Sequence, residues 1–177
     1  AEVWPFAPAA GEEGSTAVSK DDPAIVAWAT GLTEIIYGAS VAPQWRTPEK
    51  GLGPAEGNSF DVVVLGRGGS ITLSFTNPIT NGPGADFAVF ENSFNSTFLE
   101  LAWVEVSSDG EHFVRFPNLS YVPVPESGSG GAVDPTDVFG LAGKYRQGFG
   151  TPFDLEALAR VRAAIRDGTD AFTPAFR

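Results

Sequence analysis

The chain reads as mostly β, a jelly-roll-like antiparallel β-sandwich with two short helices. Three observations predict this. The stretch "VEVSSDGEHFVRF" sets Asp109-Gly110, a turn pair that favours positive φ, between two alternating β runs. The composition sets 21 Gly and 14 Pro beside 14 Phe, the make-up of short aromatic-rich strands joined by turns. A length of 177 residues suits one domain with a core of its own.

Residues 1–21 are an extended, polar N-terminal lead carrying the acidic pair Glu12-Glu13, and residues 22–177 form the single sandwich domain. "DDPAIVAWAT" predicts the first short helix, with Asp22 as N-cap, Pro23 in the first turn, and Ile25, Val26 and Trp28 facing inward. The stretch 43–59 is loop. "FDVVVLGRGGSITLSF" predicts a hairpin around a Gly-rich turn, and 85–90 predicts a further strand between Asp86 and Glu91-Asn92. In "LAWVEVSSDGEHFVRFP", Val104 and Val106 alternate opposite Val114 and Phe116 across the turn. "PESGSGGAVDPTD" is loop, and "GKYRQGFGTPF" is irregular. "DLEALARVRAAIRDG" predicts the second helix, capped by Asp154, ended by Gly168, with Leu155, Leu158, Val161 and Ile165 on one face.

Charge and composition exclude several functions. Eleven basic against 22 acidic residues give −11, which opposes a phosphate backbone and so excludes nucleic acid as partner. With no cysteine there is neither a disulfide nor a thiolate metal site. No apolar run approaches the roughly 20 residues that span a bilayer, so no membrane insertion by this chain is expected. The absence of Met and the start "AEVWPF" point to a processed product and hence to a secreted, extracellular cell-surface location.

No enzyme signature stands out. His112 is the single histidine and sits beside a turn, "GRGGS" lacks the Lys-Ser/Thr ending of a phosphate loop, and there is no GxSxG elbow. "NST" at 95–97 and "NLS" at 118–120 fit the glycosylation acceptor pattern. Paired carboxylates could hydrolyse glycans at the proper separation, and Asp86, Glu91, Glu100, Glu105, Asp134 and Asp137 are the candidates. Calcium takes six to eight oxygen ligands, which loops at strand ends supply without thiols or imidazoles. Asp86, Glu91 and Asn92, with Asp134 and Asp137 from "VDPTD", are therefore the candidate calcium ligands. The segment 139–149 gathers Phe139, Lys144, Tyr145, Arg146 and Phe149, aromatic faces with flanking donors that suit a small molecule or a glycan.

The ordered set "DPAIVAWATG", "LGRGGSITLSF", "GPGADFAVFENSF", "ELAWVEVSSDGEHFVRFP" and "LAGKYRQGFGTPFDL", over residues 22–158, resembles a family of bacterial secreted cell-surface proteins of the PEP-CTERM-associated type. "VEVSSDGEHF" is also similar to the strand–SDG–aromatic hairpin of discoidin-like, galactose-binding-type jelly rolls. The resemblance implies an extracellular module that binds rather than catalyses, and a corrinoid such as cobalamin is one ligand it implies. It also implies further strands after "TPFDL", so the domain is expected to lack its C-terminal strands. The end at Arg177 then predicts a second polypeptide completing the sheet.

Overall fold

The computed structural model describes residues 6–122 and 131–160. Nine strands are described: β1 (Val18–Ser19), β2 (Gly31–Ile36), β3 (Ser70–Ser74), β4 (Phe87–Phe90), β5 (Glu105–Val106), β6 (Val114–Arg115), β7 (Leu119–Ser120), β8 (Val138–Phe139) and β9 (Phe149–Phe153). They pair antiparallel in four small sheets, β1-β9-β4, β2-β3, β5-β6 and β7-β8. The fold is thus mostly β, as expected.

The strand at "FAVF" forms as β4, and its partner is β9 near the end of the described chain, with Phe87 opposite Phe153 and Phe90 opposite Gly150. β9 takes its second neighbour from β1, so the N-terminal lead contributes Val18–Ser19 to the sheet. Farther towards the N-terminus, the Phe6 amide donates to the Thr136 carbonyl at 3.1 Å. Phe87 and Phe153 stack at 5.4 Å between centroids, and Phe116 closes edge-on against Phe153 at 5.0 Å. This trio fastens β4 and β9 to the β5-β6 hairpin. Such pairs contribute about 1 kcal/mol each beyond the area they bury. A second cluster, of Leu99, Val133, Val138 and Leu141 with Leu101 and Val122 against it, lies beneath β7-β8.

The hairpin around Asp109-Gly110 forms as the alternation predicts. Glu105 faces Arg115, Val106 faces Val114, and the Phe116 amide extends the ladder to the Val104 carbonyl at 3.0 Å. Gly110 takes φ 76°, and the Asp109 carboxylate accepts the amides of Glu111 and His112 at 2.8 Å each. Those bonds hold its pKa well below the usual carboxylate value.

Two expected elements are corrected. "DDPAIVAWAT" is not a helix. Asp22 does accept the Ala24 amide at 2.9 Å, but only a single turn forms, closed by Ile25 N–H to the Asp22 carbonyl at 3.0 Å. Val26, expected to face inward, is 95% exposed. The β-branched pair Ile25-Val26 gives little helical drive. The extended backbone instead finds partners elsewhere, Gly53 N–H to the Ala29 carbonyl and Thr30 N–H to Ser74, leading straight into β2.

Nor does "FDVVVLGRGGSITLSF" fold on itself. The turn forms, with Gly69 N–H to the Gly66 carbonyl at 3.0 Å, but β3 pairs with β2. The 60–65 arm is held by the loop at 45–50. Thr47 Oγ1 donates to the Val62 carbonyl at 2.7 Å, Val64 N–H to Trp45 at 3.1 Å, and Lys50 pairs with Asp61 at 3.3 Å.

Asp154 caps the second helix, accepting the Glu156 amide at 2.8 Å, and residues 156–160 are helical. The continuation to Gly168 and the end at Arg177 lie outside the described residues. Among the described residues no helix is long and apolar enough to cross a membrane.

Candidate functional site

A cleft of about 3440 Å³ opens between the β2-β3 pair and the side of the molecule carrying β4 and residues 98–107. Exposed apolar side chains collect there, among them Val64, Phe75, Phe98, Trp103 and Val114. One stretch of the wall is polar and built from three separate segments. As the chain leaves β4 it presents Glu91 and Asn92, the pair singled out in the sequence. Asn92 Nδ2 donates to the Ser59 carbonyl at 2.8 Å. Ser59 Oγ donates to Gln147 Oε1, and the Gln147 amide donates to the Ser93 carbonyl at 2.9 Å. Ser59 is held by the turn at Asn58, whose Oδ1 accepts the Phe60 and Asp61 amides, both at 2.9 Å.

These bonds use one end of each amide side chain. Gln147 Nε2 and Asn92 Oδ1 make no hydrogen bond to the described residues, leaving one donor and one acceptor on a fixed frame. Trp28 packs on Phe90 at 5.3 Å, and both line the same cleft as an apolar part of its wall.

Glu91 accepts the Ser93 amide at 2.9 Å through Oε2. Its pKa is nevertheless raised, first by burial and further by the negative charge of Glu100, against the lowering effect of the Asn92 and Ser93 amides. Of the carboxylates named as hydrolytic candidates, Glu91 and Glu100 are brought within electrostatic reach of each other.

The five expected calcium ligands occupy separate places. Asp86 and Glu91 stand at opposite ends of β4, about 16 Å apart for five residues of extended chain, too far for one ion. Asp86 Oδ1 accepts the Gly82 amide at 2.7 Å and Oδ2 the Leu155 amide at 2.8 Å, tying the loop before β4 to the helix after β9. Asp134 caps the 3-10 turn Pro135–Asp137, accepting Thr136 N–H at 2.8 Å, and Asp137 ends that turn. Among the described residues no three His, Asp or Glu side chains gather as a metal-holding group.

The aromatic–basic segment 139–149 does not present its five candidate side chains on one surface. Tyr145 is 1% exposed and Lys144 is buried, whereas Phe139 is 43% exposed. Phe149 is the first residue of β9, with the Arg146 guanidinium 4.6 Å over its ring. None of these five lines the cleft; Gln147, within the same stretch, does. The inward turn follows from Gly143, at φ 78°, where a Cβ would lie 2.0 Å from the Glu100 carbonyl oxygen. Only glycine lets "LAGKY" pack onto "ELAW", where Ala102 and Ala142 exchange hydrogen bonds at 3.1 and 2.9 Å.

No family model, curated protein or solved structure matches this chain.

Proposed function

We propose that the protein is a ligand-binding β module of the cell surface, with a jelly-roll-like frame, that takes a neutral, hydroxyl-rich ligand of the glycan class in this cleft. The observation that carries the reading is the fixed pair Gln147 Nε2 and Asn92 Oδ1, a donor and an acceptor in the cleft that Trp28 and Phe90 also line. A sugar presents hydroxyls that both donate and accept, together with C–H faces that suit an aromatic wall. Nine acidic against three basic residues line the cleft, which disfavours anionic ligands.

The test is binding of the purified chain to a panel of neutral and acidic oligosaccharides and to cobalamin, with and without millimolar calcium. Retention of neutral glycans, lost in Asn92→Ala/Gln147→Ala, supports the reading. Preference for cobalamin makes the ligand a corrinoid, and dependence on calcium adds an ion at a strand end. Binding to none of them defeats the reading.

A second reading is a carboxylate-dependent glycan hydrolase. It is favoured by one observation, the raised pKa of Glu91 next to Glu100, the arrangement of a general acid beside a second carboxylate. Release of reducing sugar, abolished in Glu91→Gln, would establish it.

A further inference from the structure

Trp103 is the most exposed tryptophan side chain on the cleft wall, at 62%. An exposed indole is ordinarily free to change rotamer, but here the backbone is pinned on both flanks and one ring face is covered. Ala102 exchanges two hydrogen bonds with Ala142, and the Val104 carbonyl accepts from the Phe116 amide. One face of the ring is covered by the Arg115 guanidinium, 4.1 Å from its centroid. Arg115 is in turn fixed by Glu105, its cross-strand partner, through Nε to Oε1 at 2.7 Å. With one face taken by Arg115 and the residue 62% exposed, a stacking ligand would use the other face of the indole. A ring ordered before binding loses little entropy when a ligand stacks on it.

We propose that the open face of Trp103 is a stacking platform for a sugar ring of a neutral polysaccharide chain laid along the cleft, kept flat by Arg115 and Glu105. The inference rests on the glycan reading above and extends it from one sugar to a chain. The lining argues for the chain: Trp103 and the Asn92–Gln147 pair border one cleft, so an extended ligand can meet both. Charge argues against acidic polysaccharides, given the excess of acids along the wall. A basic peptide fits the platform less well than a sugar, because Glu105 already pairs with Arg115 and the indole already carries that cation. What is left for a ligand is an apolar face, which the C–H side of a pyranose matches.

The test is affinity electrophoresis of the full chain through gels containing neutral polysaccharides (a β-glucan, a galactomannan, a dextran), with alginate as anionic control and polylysine binding measured alongside. Trp103→Ala is expected to weaken retention by a neutral polysaccharide tenfold or more. Trp103→Phe, which keeps an aromatic face, is expected to lose less than threefold, with unchanged urea denaturation in both variants. Retention equal to wild type in Trp103→Ala, while Asn92→Ala/Gln147→Ala abolishes it, overturns the platform and leaves the glycan reading standing. Retention of wild type by no neutral polysaccharide defeats both. Tight polylysine binding that Trp103→Ala removes assigns the surface to a basic peptide and overturns the proposal.

Discussion

The hydroxyls of Thr16 and Tyr145 are hydrogen-bonded at 2.8 Å across 129 residues of sequence. The bond joins the N-terminal segment just before β1 to the segment just before β9, beside the place where those two strands pair. It also explains how a tyrosine can be almost wholly buried at low cost, since its one polar atom keeps a partner.

Tyr145 is therefore a structural residue. Tyr145→Phe removes a single hydrogen bond and is expected to lower the free energy of unfolding by about 1 kcal/mol. Tyr145→Ala also empties a buried ring site and is expected to cost about 3–5 kcal/mol. Urea denaturation checks both, and an unchanged midpoint for the alanine variant would contradict the packing.

Lys144 supplies a pH signature. Burial lowers its pKa to about 8, against a smaller opposing influence from the Asp134 carboxylate, while Nζ donates to the Val138 carbonyl at 2.6 Å. An unfolded lysine holds its proton to about pH 10.4. Between those values the unfolded state binds more protons, so stability is expected to rise as pH goes from 8 towards 10, by on the order of 2 kcal/mol. Below pH 8 both states are protonated and the burial penalty is felt in full. Comparing wild type with Lys144→Met across this range isolates the effect; parallel curves would refute it.

Glu91 acts in the opposite sense. Its pKa is higher in the folded state than in the unfolded one, chiefly through burial. Its contribution to stability is complete below the unfolded value and is lost as pH rises through the folded one. Glu91→Gln should thus melt at a higher temperature than wild type at pH 7, with the gap closing towards pH 4. A gap that widens on acidification would mean that the carboxylate is held charged.

Local chemistry was legible where the sequence carries a local device. Asp109-Gly110 makes its turn, Asp154 caps its helix, and "FAVF" is a strand. β2 was not legible, because a register shift between Leu32 and Glu34 breaks the two-residue alternation, leaving Leu32 and Ile35 three apart. The pairing of β4 with β9 joins positions 60 or more residues apart, which no local pattern records. The same holds for the candidate site. Glu91 and Asn92 stood out as an acid–amide pair, but Ser59 and Gln147 join them only through tertiary hydrogen bonds. In 139–149 the aromatic and basic residues drew attention, yet Tyr145 and Lys144 are buried and the inconspicuous Gln147 reaches the cleft.

Gly143 provides the strictest test of how that segment is packed. It occupies φ 78°, a conformation that costs an L-residue about 1–2 kcal/mol. The greater obstacle is steric. An added Cβ would fall 2.0 Å from the Glu100 carbonyl oxygen and 2.9 Å from its carbon, both backbone atoms that no rotamer change can clear. Gly143→Ala must therefore push residues 142–145 away from 100–102. That strains the Ala102–Ala142 hydrogen bonds and draws Tyr145 from its contact with Thr16. A loss of about 3 kcal/mol or more is expected, the range of strained glycine sites combined with disturbed core packing. The displacement would also disturb the backbone next to Trp103, so glycan retention is expected to fall with stability. Gly53→Ala is a matched control, since Gly53 also has positive φ, at 76°, but no atom within 4 Å of the added methyl. If the two variants unfold at the same urea concentration, the close approach of "LAGKY" to "ELAW" is not what holds this part of the fold.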